Sequence, residues 1–264
     1  MRAEAQFPQG VPRISQMRRP AKRPKLASMS IWGKIAGAGV GLAVGGPLGA
    51  LLGAVAGHIV IDRALQDGEV VFTIALIALS AKMAKADGEV SDAEVRAFEE
   101  IFQVPPGEAR NVERVYRIAQ KDVAGFEAYA AQVARIYTDK PAVLEDVLDA
   151  LFHIAKADGY VHPQELEYLR TVADVFGFSE IEFARIRASH LGHEKGDPYL
   201  VLGITPDISN DDLKKAYRRL VRENHPDMLI ARGVPKELVT IANEKLSAIN
   251  VAYDRIVKAR GIAA

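Results

Sequence analysis

His225, Pro226 and Asp227 stand side by side, directly after a row of cations in the stretch 218–233, "RRLVRENHPDMLIARG". A titratable ring, a helix breaker and a carboxylate in sequence have two readings. Pro226 could simply end one helix while Asp227 starts the next turn. Alternatively, the tripeptide is the working tip of a docking surface. The preceding cations bear on the choice. Lys215, Arg218, Arg219 and Arg222 recur at helical spacing, with Lys214 on the edge of the stripe. Five exposed cations on one helix invite an acidic partner and steer its approach. Pro226 removes freedom from the backbone, so Asp227 loses less entropy on docking.

A second set of residues could do metal chemistry. Residues 84–94 read "AKADGEVSDAE" and residues 155–165 read "AKADGYVHPQE", an offset of 71 residues. Asp87, Glu94, Asp158 and Glu165 occupy matching places in the two copies. If Gly88 were the glycine of a calcium loop, Met83 and Lys85 would stand where oxygen ligands are needed, and Ile154 and Lys156 in the second copy. That excludes an EF-hand. The same residues also make helix starts: Ser91-x-x-Glu94 is a capping box, and His162, Pro163 and Glu165 supply a cap, a first-turn proline and the same acid. A site for a metal or a partner shared by the four acids is the alternative. His153, on an apolar helix face, reads as a satisfied half-buried histidine.

Other chemistry is thinly provided. There is no cysteine, so no disulfide and no cysteine-held zinc or iron–sulfur site. Gly37-Ala-Gly39-Val-Gly41 lacks a preceding strand and a following Gly-Lys-Ser/Thr, so it is no phosphate loop. Without a nucleophile–base pair the chain is not expected to be an enzyme. No cofactor and no nucleic-acid partner are implied.

The elements that must position these residues fall into segments. The net charge of zero divides into +7 over residues 1–34, −9 over 35–196 and +2 over 197–264. Residues 1–28, with Pro8, Pro12, Pro20 and Pro24 among basic residues, read as a disordered tail. Met29, just ahead of Trp32, is a candidate start. From Ile35 to Ile61 there are 27 residues without Asp, Glu, Lys or Arg, longer than the ~20 that cross a bilayer as a helix. Gly37, Gly41, Gly45, Gly49, Gly53 and Gly57 recur every fourth residue. On a helix they form a groove that lets two backbones approach in a membrane. In water each would cost roughly 1 kcal/mol. Residues 29–62 are therefore read as a glycine-zipper membrane anchor.

Each Asp-Gly turn lies between an apolar helix and an amphipathic one. The run 70–79 is too short to span a bilayer and fits a buried helix. The product is an all-α unit over 64–190, followed by a linker, 191–196. In 197–264, Tyr199 and Leu202 lie on a short helix ended by Gly203. Ser209 or Asn210 caps a second helix whose inner face is Leu213, Ala216, Tyr217 and Leu220. A third helix turns Leu238, Ala242, Leu246, Ile249, Tyr253 and Ile256 inward. The two long helices should pack antiparallel, with His-Pro-Asp on the loop between them.

These motifs carry resemblances. The doubled "KADG.V...E" pattern resembles the TerB-like domain of tellurite-resistance proteins and of the DjlA group of membrane-anchored chaperone partners. The short Tyr-Leu-Gly helix, basic second helix, His-Pro-Asp and "INVAYDRI" helix, in that order, are similar to a J domain. Trp32-Gly33-Lys34 and the glycine-rich span resemble the DjlA anchor, so the likeness covers residues 29–264. It implies that His225, Pro226, Asp227, Lys214, Lys215, Arg218, Arg219 and Arg222 bind a DnaK-type ATPase and stimulate its ATP hydrolysis. The J-domain core would be Tyr199, Leu202, Leu213, Tyr217, Leu220, Leu246, Ile249 and Tyr253. The family's acidic positions map here only to Asp87, Glu94, Asp158 and Glu165. Met228 stands where the family usually has a lysine, and the loop 228–236 is long. Neither a Gly/Phe-rich region nor a cysteine zinc module is present.

The expectation is an all-α, DjlA-like co-chaperone with a membrane helix, a duplicated TerB-like domain and a helical-hairpin J domain. It would be single-pass in a bacterial inner membrane. Charge leaves the orientation even, and the cytosolic ATP chemistry of the partner puts both folded domains in the cytoplasm. The glycine groove would pair two copies. The rival is a stress- or metal-sensing TerB-like scaffold that recruits a chaperone.

Overall fold

The computed structural model describes residues 46–49, 68–86, 101, 116–119, 121, 125–157, 159–190, 197–235 and 238–262. Among them there is helix and no strand. The first unit is built around α1, Gly68–Ala86. Its run from Val70 to Leu79 holds no charge, and the helix is buried on every face. A helix that is apolar all round has to be enclosed. Its two hydroxyls cost little there, because Thr73 donates to the Glu69 carbonyl at 2.8 Å and Ser80 to the Leu76 carbonyl at 2.7 Å.

Around α1 pack α2 (Phe126–Ile136), α3 (Pro141–Ala155) and α4 (Pro163–Phe176). The Tyr168 hydroxyl of α4 donates to the Leu79 carbonyl at 2.8 Å, and its ring lies 4.3 Å from Phe126. Local chemistry sets the helix ends. His162 is the N-cap of α4, Pro163 fills its first turn, and the His162 N–H donates to Glu165 Oε2 at 2.8 Å. Gly177 closes α4 at φ +85°, a left-handed position that favours glycine. Next comes α5, Glu180–His190, opened by reciprocal bonds between Ser179 and Glu182.

The second unit contains α6 (Pro198–Val201), α7 (Asn210–Glu223), α8 (Pro226–Ala231) and α9 (Val239–Ala259). Ser209, not Asn210, caps α7, accepting the Asp212 N–H at 3.1 Å. Tyr217 stacks on Tyr253 with centroids 4.0 Å apart, and its hydroxyl donates to Asn250 at 3.0 Å. Arg260, just past α9, donates to Asn210 and to the Ile208 and Pro206 carbonyls at the start of α7. The two long helices therefore run antiparallel. Leu202, Leu213, Leu220, Ile249, Ala252 and Ile256 are buried between them.

Three sequence expectations need correction. The segment 228–236 is not simply a loop, because Pro226–Ala231 forms α8. A proline at the first turn supports a helix rather than preventing one. Leu246 is half-buried, and Lys245 takes the buried place beside it, between Ala242 and Ile249. Finally, α9 serves two cores. Its C-terminal half packs on α6 and α7. Leu238, Ile241 and Ala242, with Leu229 and Val234, join the core of the first unit. The linker 191–196 lies outside the described residues.

Charges are buried where the units meet. Lys245 Nζ lies 2.5 Å from Glu145 Oε1 and 2.6 Å from Asp149 Oδ2. Asp149 also meets His190 at 2.8 Å, and Glu145 meets Arg185 at 2.6 Å. Burial alone would lower the Lys245 ammonium, but Asp149 and Glu145 outweigh it and hold it above its ordinary value. Burial would likewise raise both carboxyls. Lys245 and His190 together outweigh it at Asp149, as do Lys245 and Arg185 at Glu145, and both sit low. Asp146 behaves differently: burial pushes it up to about 7 against Arg232 and Lys245.

Stability from Glu145 and Asp149 is complete above the ordinary carboxylate range near ~4 and is lost as pH falls below it. Stability from Asp146 is present below that range and is lost as pH rises through about 7. Lys245→Met removes the cation shared by two buried carboxylates, leaving Glu145 with Arg185 and Asp149 with His190 alone, and should cost about 3–5 kcal/mol at neutral pH. Urea unfolding across pH should show the variant's deficit shrinking on acidification, as those carboxyls take up protons.

Candidate functional site

The basic stripe occupies the outer face of α7, opposite Leu213 and Leu220. Lys215, Arg218, Arg219 and Arg222 are exposed and Lys214 half-buried. Their freedom differs. Lys215 donates to Asp212 Oδ1 at 2.8 Å, a pair that holds the lysine above and the carboxyl below their ordinary values. Arg218, Arg219 and Arg222 form no ion pair among the described residues. These three are thus the charges most available to a partner, at no cost of breaking an internal bond.

The turn after α7 is tied down from inside. Asn224 is buried, and its Nδ2 donates to the Leu220 carbonyl at 2.8 Å. His225 is then extended, at φ −67° and ψ 137°, and is the N-cap of α8. Its Nδ1 accepts the Asp227 N–H at 3.3 Å and lies 3.6 Å from Asp227 Oδ2. A neutral imidazole that accepts at Nδ1 carries its proton on Nε2. The two side chains remain open to solvent, 53% exposed for His225 and 87% for Asp227. The helix-boundary reading of the tripeptide holds, with α7 ending at Glu223 and α8 starting at Pro226. The proline starts a helix, and the start of that helix presents the ring and the carboxylate together. With Tyr217, Val221, Arg222 and Met228 they line one shallow groove.

Of the expected J-domain core, Leu202, Leu213, Leu220 and Ile249 are buried, while Tyr199, Tyr217 and Tyr253 pack against them partly exposed. Asp87, Glu94 and Asp158 lie outside the described residues. Glu165 is 1% exposed and gives an oxygen to the cap of α4. Among the described residues no cluster of three metal-ligating side chains occurs. Gly37, Gly41, Gly45, Gly53 and Gly57 also lie outside them. Gly49 is buried, and neighbouring Leu48 sits in the core with its N–H on Gln132 Oε1 at 2.8 Å. Among the described residues no helix is long and apolar enough to cross a membrane. Asn224, Arg232 and Lys245 were missed by sequence reasoning. The acids Glu145, Asp146 and Asp149 on a largely apolar helix were the available signal for a buried cation.

Comparison with known proteins follows the same division of the chain. The family model "Tellurite resistance protein TerB" matches residues 73–188, "Co-chaperone DjlA transmembrane domain" 29–68, and "DnaJ domain" 197–260. The Co-chaperone protein DjlA of Photobacterium profundum is 30% identical over 222 residues, covering 74% of this chain and 80% of its own. That of Shewanella oneidensis is 30% identical over 262 residues, covering 89% and 100%. The chain belongs to the DjlA co-chaperone family. The Coxiella burnetii member is 28% identical over 200 residues, 68% of this chain and 74% of its own. No solved structure matches. As a DjlA-family chain it is a J-domain co-chaperone. Helices α6 to α9 lie within the DnaJ match, and all six groove glycines lie within the transmembrane-domain match.

Exposure at His225 limits its structural role to one cap bond. His225→Gln should change unfolding free energy by about 1 kcal/mol or less, and thermal melting followed by circular dichroism would check it.

Proposed function

We propose that this chain docks a DnaK-type ATPase chaperone on α7 and the start of α8 and stimulates its ATP hydrolysis beside a membrane. The observation that carries the reading is the continuous exposed strip of Arg218, Arg219 and Arg222, with no ion pair among the described residues, leading to the His225–Asp227 pair. The partner performs the chemistry. This chain supplies the trigger through His225, Pro226 and Asp227, and the attraction through Arg218, Arg219 and Arg222, with Lys214 and Lys215 beside them. Free arginines steer an acidic partner and raise its association rate. Residues 197–264 act as the docking module and 64–190 as the unit that carries it. Residues 29–62 would anchor both on the cytoplasmic face of a bacterial inner membrane.

A steady-state ATPase assay of a DnaK-type chaperone tests the trigger. His225→Gln in the full chain should remove the stimulation while the fold stays intact. Normal stimulation by a folded variant rejects the assignment of that residue. Arg218→Glu with Arg219→Glu should slow association by roughly tenfold at low salt, and the gap should close as salt rises. Stopped-flow binding across a salt series measures it.

With Gly49 buried and Leu48 in the core of the first unit, the groove proposed to pair two anchors in the bilayer is its N-terminal part, Gly37, Gly41 and Gly45. Gly37→Leu with Gly41→Leu should keep membrane association, because leucine favours insertion. It should also reduce crosslinked dimer, because the groove is filled. Fractionation and crosslinking read the two effects separately.

A further inference from the structure

One face of α3 builds the core of the first unit, and another is a row of charges. Glu145, Asp149 and His153 follow one another at four-residue spacing, and Lys156 caps the helix three residues on, so the row is continuous. The sign changes along it: two acids first, two basic groups after. Helix α9 meets the row with the opposite order. Glu244 lies 3.1 Å from Lys156 Nζ and 3.3 Å from His153 Nδ1. Lys245, the next residue, sits between Glu145 and Asp149. Arg232, just past α8, reaches Asp146 at 2.9 Å and also donates to the Glu223 carbonyl at the end of α7.

Glu145, Asp149 and Lys156 each meet an opposite charge, and His153, which burial holds below its ordinary value, meets Glu244 as a hydrogen-bond partner. A shift of α9 by one turn along α3 would carry Lys245 toward His153 and Lys156 and Glu244 away from them. Such a charge order penalises the wrong registers and admits one. Apolar burial of Leu229, Val234, Leu238, Ile241 and Ala242 supplies attraction at the same contact. Gly233, in a left-handed turn at φ +84°, lies with its backbone against that of Gly68 at the start of α1.

We infer that the charged face of α3 is the docking surface for the chain's own J domain. The J domain is seated in one orientation on the TerB-like unit, with His225 and Asp227 facing solvent, and is not a module swinging on a linker. This gives the second Ala-Lys-Ala-Asp-Gly repeat a role, because its lysine, Lys156, is one of the struts. A consequence for the chaperone rests on the function proposed above. Arg219 of the stripe lines a cleft of about 320 Å³ whose other wall includes Ile181, Glu182 and Arg185 of α5. A partner seated on the stripe would therefore also touch the TerB-like unit. The docking itself does not depend on any chaperone.

The absence of cysteine makes the test direct, because introduced cysteines are the sole labelling sites. Thr138→Cys and Asp254→Cys are exposed positions, one on each unit. The full-length chain, spin-labelled at both, diluted with unlabelled chain and held in lipid nanodiscs, should give one narrow distance distribution by double electron–electron resonance. Lys245→Glu places a third carboxylate against Glu145 and Asp149, and the narrow peak should be lost while helicity is retained. A broad distribution without that substitution, or a narrow one in folded Lys245→Glu, overturns the inference. If Lys245→Glu does not fold, the half-exposed Glu244→Lys decides. Loss of the narrow peak, recovered by adding Lys156→Glu, supports docking, and an unchanged peak refutes it. No arm uses a chaperone, so failure here is distinct from failure of His225→Gln in the ATPase assay.

Discussion

A lysine ammonium taken out of water must find its charge and hydrogen bonds inside the protein, or its desolvation makes the folded state untenable. Lys245 meets that demand with two carboxylates on α3, Glu145 and Asp149, which are in turn held by Arg185 and His190. Each added partner satisfies lone pairs that the lysine alone could not. The result ties three helices together: α3 through the acids, α5 through Arg185 and His190, and α9 through the lysine. Because α9 also forms the floor of the J domain, the position of the whole second unit hangs on this group of charges. His190 adds packing to its ion pair, stacking on Phe152 with centroids 5.1 Å apart.

The exposed end of the J domain follows the opposite logic. Among the described residues no carboxylate pairs with Arg218, Arg219 or Arg222, and all three side chains are exposed. Beneath them the structure is stiff. The Tyr217–Tyr253 stack, the Asn224 side-chain bond and the Arg260 clamp on 206–210 hold α7 from its inner face and both ends. A rigid scaffold under free charges keeps the entropy cost of docking low. The His225 cap adds a local constraint, presenting ring and carboxylate from the first turn of a helix.

The repeated helical motif shows how one sequence pattern can serve different ends. In the second copy, Glu165 caps α4 and is almost fully buried, while Lys156 crosses to Glu244. Duplication supplied the turn, and position in the fold supplied the second use.

Much of this chain was legible in the sequence because its signals are local. Helical periodicity, capping residues, the first-turn prolines and the charge-free run of 70–79 each act within a few residues, so all-α architecture and the enclosed α1 follow from them. The order of the J-domain motifs likewise indicated a hairpin with its cations outward. Which residue of α9 is buried was not legible. Periodicity selects an apolar face and so favours Leu246, whereas the fold buries Lys245. The deciding acids lie about a hundred residues away and come alongside only when α9 packs across α3. The same reason hid Arg232 and the partner of His153. Local pattern determined the helices and their solvent faces. Tertiary structure decided how the two units meet, because buried ion pairs depend on distances between side chains remote in sequence.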